Sequence, residues 1–125
     1  MNYLLDTHTL IWYFENDVKL SHEAEALIDN PKNTIYVSSA SLWEIAIKIG
    51  LNKLAVDFDE LLVKVEQAEF LVVQAKNEHL KEIILLPQIH KDPFDRLLIS
   101  TAKIEKMILI TADENISKYD VAWIW

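Results

Sequence analysis

Short apolar runs alternate with longer amphipathic stretches along the whole chain, and that alternation admits few folds. Asn2–Leu5 is a brief apolar run that ends on Asp6, after which Thr7–Phe14 reads as helical. Ser21-His22-Glu23 opens a second helix, with Ala24, Leu27 and Ile28 on one face and Asn30-Pro31 as its stop. Thr34–Ser38, rich in β-branched and aromatic residues, reads as a strand. The next helix is expected from Ser41 to Gly50, with Gly50 as a left-handed cap and Lys48 in the last turn. Phe58, Leu61, Leu62 and Val65 fall at i, i+3, i+4 and i+7, the spacing of an amphipathic helix. Phe70–Val73 is then a short strand and Asn77–Leu86 a helix ended by Pro87. Pro93 opens a helix reaching about Lys106, Met107–Ile110 is a buried strand, and Val121–Trp125 is a terminal strand. Alternation would put Trp123 and Trp125 on one face of it. Strand–helix repetition of this kind calls for right-handed crossovers and a mostly parallel sheet covered on both faces, an α/β protein. With no internal repeat or linker-like segment, residues 1–125 are expected to form one domain.

Ligands of such sheets sit beyond the carboxyl ends of the strands, so the residues there matter most. Gly50 is the only glycine, which excludes a Walker loop, a G-x-G-x-x-G turn and a G-x-S-x-G nucleophile elbow. The absence of cysteine removes disulfides, thiolate metal sites and cysteine nucleophiles, and suits a reducing cytoplasm. Every apolar run is shorter than the ~18 residues a membrane span needs, and no signal peptide is evident, so a cytoplasmic protein without membrane contact is expected. The net charge of −8 is the opposite of a nucleic-acid binder's basic footprint. Lys48, Lys53, Lys91, Arg96 and Lys103 are candidates for a local positive rim.

Four carboxylates stand at strand-to-helix junctions. Asp6 follows the first strand, Glu44 and Asp95 lie in the first turns of helices, and Asp113 follows the strand Met107–Ile110. Each has a local explanation. Ser41-Leu42-Trp43-Glu44 has the form of a capping box, Asp92-Pro93-Phe94-Asp95 repeats it, and Asp6 and Asp113 suit helix N-caps. Capping does not explain why acids sit within otherwise apolar or small segments such as Tyr3-Leu4-Leu5-Asp6-Thr7. Carboxylates that share a cleft repel one another unless protonated or neutralised by a cation. Oxygen ligands without Cys or paired His select hard ions, Mg²⁺ or Mn²⁺, which assist phosphodiester hydrolysis.

Four blocks carry a resemblance: Leu-Leu-Asp-Thr-His (4–8) with Trp12, Ser-Ser-Ala-Ser-Leu-Trp-Glu-Ile-Ala-Ile-Lys (38–48), His-Lys-Asp-Pro-Phe-Asp-Arg-Leu-Leu-Ile (90–99) and Leu-Ile-Thr-Ala-Asp (109–113). In this order they resemble the PIN-domain toxins of VapBC toxin–antitoxin systems, the VapC type. The resemblance implies a three-layer α/β/α sandwich, dependence on Mg²⁺ or Mn²⁺, and endoribonuclease activity on RNA silenced by a cognate antitoxin. It also implies a homodimer. Carried over by motif, Asp6, Glu44, Asp95 and Asp113 are the catalytic acids, with Asp6, Asp95 and Asp113 as metal ligands, Asp113 through water. Glu44 completes the shell or orients the attacking water, and Thr111 supports a carboxylate by hydrogen bonding. A PIN-like module that binds protein or RNA without cutting is the alternative.

Other residues receive mainly structural readings. Asp92 is expected to be a helix N-cap. Arg96, the only arginine, either pairs with an acid or touches a substrate phosphate. His8, His22, His79 and His90 lack metal-ligand spacing and read as structural or solvated. Trp12 and Trp43 are expected to pack rather than stack on a base.

Overall fold

A computed structural model describes residues 1–125. Its strands are β1 (Asn2–Leu5), β2 (Thr34–Ser38), β3 (Leu71–Val73), β4 (Ile108–Ile110) and β5 (Trp123–Ile124). Its helices are α1 (Thr7–Glu15), α2 (His22–Asp29), α3 (Ser39–Gly50), α4 (Phe58–Gln67), α5 (Asn77–Leu85), α6 (Pro93–Glu105) and α7 (Glu114–Ser117). All strand pairs are parallel, in the order β3-β2-β1-β4-β5. The order reverses at β1, whose chain neighbour β2 lies on one side and β4 on the other. Register places Leu5 beside both Val37 and Ile110, so Asp6, Ser38 and Thr111 emerge from one edge of the sheet.

Strand pleating builds the layers. Leu5, Val37 and Ile110 join Leu10, Ile28, Ile45, Leu61 and Val65 on one face, while Leu4 and Leu109 join Leu98, Ile99 and Ile116 on the other. Adjacent residues Leu4 and Leu5 therefore serve opposite cores, and both are fully buried. Helices on both faces make the expected α/β/α sandwich. Truncating either leucine to alanine costs about 2–5 kcal/mol by the usual cavity arithmetic. No helix is long and apolar enough to cross a membrane.

Two local expectations fail at α3. The helix begins directly after β2, with Ser38 as its N-cap accepting from the backbone N–H of Ala40 at 3.0 Å. Ser41 and Glu44 therefore do not form a capping box. At the other end Gly50 is the last helical residue and has no positive φ, and the left-handed residue is Asn52 at φ 56°. Asn16 and Lys106 take that conformation to close α1 and α6, so left-handed caps here do not need glycine. The last strand also departs from simple alternation. Trp123 is half-exposed, whereas Trp125 lies past the paired residues and turns its ring edge to Trp12.

Candidate active site

Asp6 sits between β1 and α1 and is nearly buried. Its Oδ1 accepts the N–H of Thr9 at 2.8 Å, the N-cap bond, and its Oδ2 accepts the Thr111 hydroxyl at 2.5 Å. Thr111, fully buried just past β4, also accepts the backbone N–H of Asp113 at 3.0 Å. One hydroxyl thus ties together the acids that follow two neighbouring strands. Asp113 caps α7 through Oδ1, which accepts from Asn115 N–H at 2.8 Å, and no hydrogen bond reaches its Oδ2. Capping and convergence coexist here: each acid spends one oxygen on its helix and retains acceptor capacity.

Asp95 lies in the first turn of α6, behind the N-cap Asp92, which accepts from Phe94 and Asp95 N–H groups as expected. Its Oδ2 meets His90 Nε2 at 3.1 Å. Burial pushes the Asp95 carboxyl up to about 7, opposed by the His90 bond and reinforced by the negative charges of Asp92, Asp113 and Asp6. Burial likewise raises Asp6, although Thr111, Thr9 and His8 act in the opposite direction. Asp6, Asp95 and Asp113 have been brought within electrostatic reach of one another with little positive compensation from the chain.

Glu44 reaches the same edge by a different route. Its Oε1 accepts the hydroxyl of Thr7 at 2.7 Å, and its Oε2 pairs with Lys48 at 2.9 Å. Thr7 follows Asp6, and Ser41 Oγ lies 3.0 Å from the same hydroxyl. Trp43, beside Glu44, sets its ring edge-on to Phe94, beside Asp95, with centroids 5.1 Å apart. Glu44 is therefore tied to the residue after Asp6 and has both oxygens engaged.

No three His, Asp or Glu side chains are grouped tightly enough to form a ready-made metal shell. The donor set nevertheless fits Mg²⁺ or Mn²⁺, because Mg²⁺ keeps several waters and takes only one or two carboxylates. Asp95 Oδ1 and Asp113 Oδ2 receive no hydrogen bond and so keep their full acceptor capacity, and Asp6 lies within electrostatic reach of Asp95. A cleft of about 140 Å³ opens beside two of these acids, lined by Asp6, His8, Trp12, Ala112 and Asp113. His8 stacks on Trp12 in this cleft, with ring centroids 5.6 Å apart.

Arg96 requires a correction. Its guanidinium is buried and donates from Nη1 to Pro87 O at 2.8 Å and to Tyr119 Oη at 3.0 Å, and from Nη2 to Ile83 O at 3.5 Å. Its donors are spent on these acceptors and it does not pair with Asp95, because helical geometry turns consecutive side chains about 100° apart. The positive rim shrinks accordingly. Lys48 is spent on Glu44 and Lys103 meets Glu82 at 3.4 Å, leaving exposed Lys53 and Lys91 outside any ion pair. His90, read from the sequence as structural or solvated, contacts a site carboxylate directly. Its place five residues before Asp95 was a visible signal, but only for a hydrogen bond, not for a recognised ligand spacing.

The family model for the PIN domain matches residues 3–122. No curated protein matches the chain. Among solved structures, it is similar to VapBC2 from Rickettsia felis, bound to a DNA fragment from its promoter, at TM-score 0.74 and 19% identity, covering 100% of this chain and 99% of that one. It is also similar to DNA-bound VapBC from Salmonella typhimurium, at TM-score 0.71 and 18% identity over 99% and 97% of the two chains. VapBC-1 from nontypeable Haemophilus influenzae follows at TM-score 0.66 and 20% identity, over 99% and 97%. The parallel sheet reversing at β1, the acids at its carboxyl edge and the nearly full-length match agree: the chain belongs to the PIN domain family.

Proposed function

We propose that this protein is a Mg²⁺- or Mn²⁺-dependent endoribonuclease, the toxin of a type II toxin–antitoxin pair held silent by a cognate antitoxin. The observation that carries the reading is the convergence of buried Asp6 with the partly buried, mutually repelling Asp95 and Asp113 at the reversal point of a parallel sheet. Membership of the PIN domain family and the likeness to structures of VapBC complexes support it. When bound, a divalent cation supplies Lewis-acid polarisation of the phosphate and a more acidic water.

The chain's own residues supply the positioning. Thr9 and Thr111 hold both oxygens of Asp6, so that carboxylate cannot swing away from the cleft. Asp113 is fixed by its cap bond to Asn115, and its second oxygen carries no hydrogen bond. Glu44, locked between Thr7 and Lys48, orients the attacking water or completes the outer shell. A homodimer is part of this reading on the family resemblance alone; Ile84 and Leu85 at the end of α5 are 79% and 76% exposed. With a net charge of −8 the protein is expected to hold RNA weakly and non-specifically, and to act on unpaired or shaped segments.

The test is cleavage of a structured RNA by the purified chain with Mg²⁺ or Mn²⁺, compared with Asp6→Asn and Asp95→Asn. Both variants should lose activity by about 100-fold or more, as expected when a metal-site carboxylate is removed. Cleavage at wild-type rate by either variant would refute the site. An intact RNA bound but never cut would return the protein to the non-catalytic binding module.

A further inference from the structure

The hydroxyl of Tyr119, a residue just beyond α7, is the centre of a directed hydrogen-bond chain that ends on Asp95. Arg96 Nη1 donates to Tyr119 Oη at 3.0 Å, and the backbone N–H of His90 donates to it at 3.3 Å. His90 Nδ1 lies 2.7 Å from the same oxygen. A phenol has one O–H to donate and two lone pairs to accept with. The two N–H donors fill the acceptor side, and Tyr119 is buried, so its own O–H has His90 Nδ1 as its partner. An Nδ1 that accepts leaves the ring proton on Nε2, and that nitrogen stands 3.1 Å from Asp95 Oδ2.

Direction is set at the source. A guanidinium only donates, so Arg96 cannot take the proton that would reverse the chain. Arg96 is itself clamped on Pro87 O and Ile83 O, at the carboxyl end of α5 and the turn after it. The His90 and Tyr119 rings pack edge to face at 5.4 Å, which limits rotation of either. The outcome at Asp95 is asymmetric: Oδ2 accepts from His90, while Oδ1 receives no hydrogen bond.

We infer that His90 is a positioning residue for the cation site, its tautomer dictated by Tyr119 and Arg96 so that Asp95 offers one oxygen in a fixed orientation. This rests on the metal-dependent reading above. It assigns a role to side chains that touch neither substrate nor cation. Residues that hold a ligating side chain from behind typically contribute 10- to 100-fold in metal affinity.

Two measurements on the full-length chain test it. In the metal-free protein, long-range ¹⁵N–¹H correlation of the histidine rings should show His90 protonated on Nε2 alone, and Tyr119→Phe should turn this into a tautomer mixture. Protonation on Nδ1 in the wild type overturns the inference. Calorimetric titration with Mn²⁺ should then show ~10- to 100-fold weaker binding for His90→Ala. His90→Gln places an amide donor where Nε2 was and should recover to within about threefold of wild type, which a purely structural role for the ring would not produce. Wild-type affinity in a folded His90→Ala, or no rescue by a folded His90→Gln, overturns the inference while leaving the nuclease reading intact. A wild-type chain that binds no Mn²⁺ overturns both.

Discussion

Two histidines in this molecule make the same pair of bonds and stand in opposite surroundings. His79 accepts the backbone N–H of Lys76 at Nδ1, 3.1 Å away, and meets Glu105 Oε2 through Nε2 at 2.9 Å. His90 has the same pattern, with Tyr119 at Nδ1 and Asp95 at Nε2. The consequence for the carboxylate differs. The His79 bond, with the charge of Lys76 behind it, holds Glu105 below its ordinary value, whereas burial among other acids drives Asp95 up to about 7. His79 joins α5 to α6 as a tie between helices, and His90 joins a loop to an acid that the protein leaves short of positive charge. A histidine–carboxylate bond alone does not mark a functional site. The electrostatic company of the carboxylate does.

The sharpest separation should appear in catalysis. Asp95→Asn is expected to reduce RNA cleavage by about 100-fold or more, while Glu105→Gln changes it less than twofold, measured as initial rates under saturating Mg²⁺. Equal losses would erase the distinction between the two pairs.

Stability against pH comes next. Asp95 and Asp6 have folded-state values raised above their unfolded ones, so the native protein binds more protons than the unfolded chain between the ordinary aspartate value of 3.8 and about 7. Metal-free stability should therefore fall as pH rises through that window, by an amount on the order of a few kcal/mol. Asp95→Asn should reduce this slope and raise the metal-free melting temperature near neutrality. A cation that binds only the folded state should restore the wild-type protein by mass action. Melting curves from pH 4 to 8, with and without Mg²⁺, would show whether the slope is there.

His79→Ala should destabilise the fold by about 2 kcal/mol, because a fully buried ring and two hydrogen bonds disappear together. Its Mn²⁺ affinity should remain that of the wild type, in contrast to His90→Ala. A large shift in metal binding would mean that α5 and α6 transmit strain to the site. The smallest effect belongs to Glu105→Gln. Glu105 has a depressed folded-state value, so its contribution is present above the ordinary glutamate range and disappears as pH falls through that range. The group is close to solvent, so the loss at neutral pH should stay below about 1 kcal/mol, read from denaturant midpoints.

Positions of the acids were readable because each depends on a few adjacent residues. A strand run that ends on Asp6 and gives way to a helix, or a Pro93 opening the turn that holds Asp95, is a local pattern of apolar period and cap chemistry. The Gly50 cap was misread for the same reason inverted. Glycine permits a left-handed residue but does not require one, and the chain placed that turn at Asn52. Arg96 was misplaced because neighbours in sequence diverge around a helix, so standing next to Asp95 says nothing about facing it.

Periodicity and junction chemistry in the linear chain were enough to specify a parallel α/β sheet and the acids at its strand ends, since both are written at short range. Folding alone decided that Asp6 would be the carboxylate the Thr111 hydroxyl reaches, that Thr7 would engage the second oxygen of Glu44, and that His90 would stand behind Asp95. Hydrogen-bond partners and local dielectric are properties of space rather than of order along the chain. They come into existence only once the sheet brings the ends of β1 and β4 side by side and α6 packs its first turn against them.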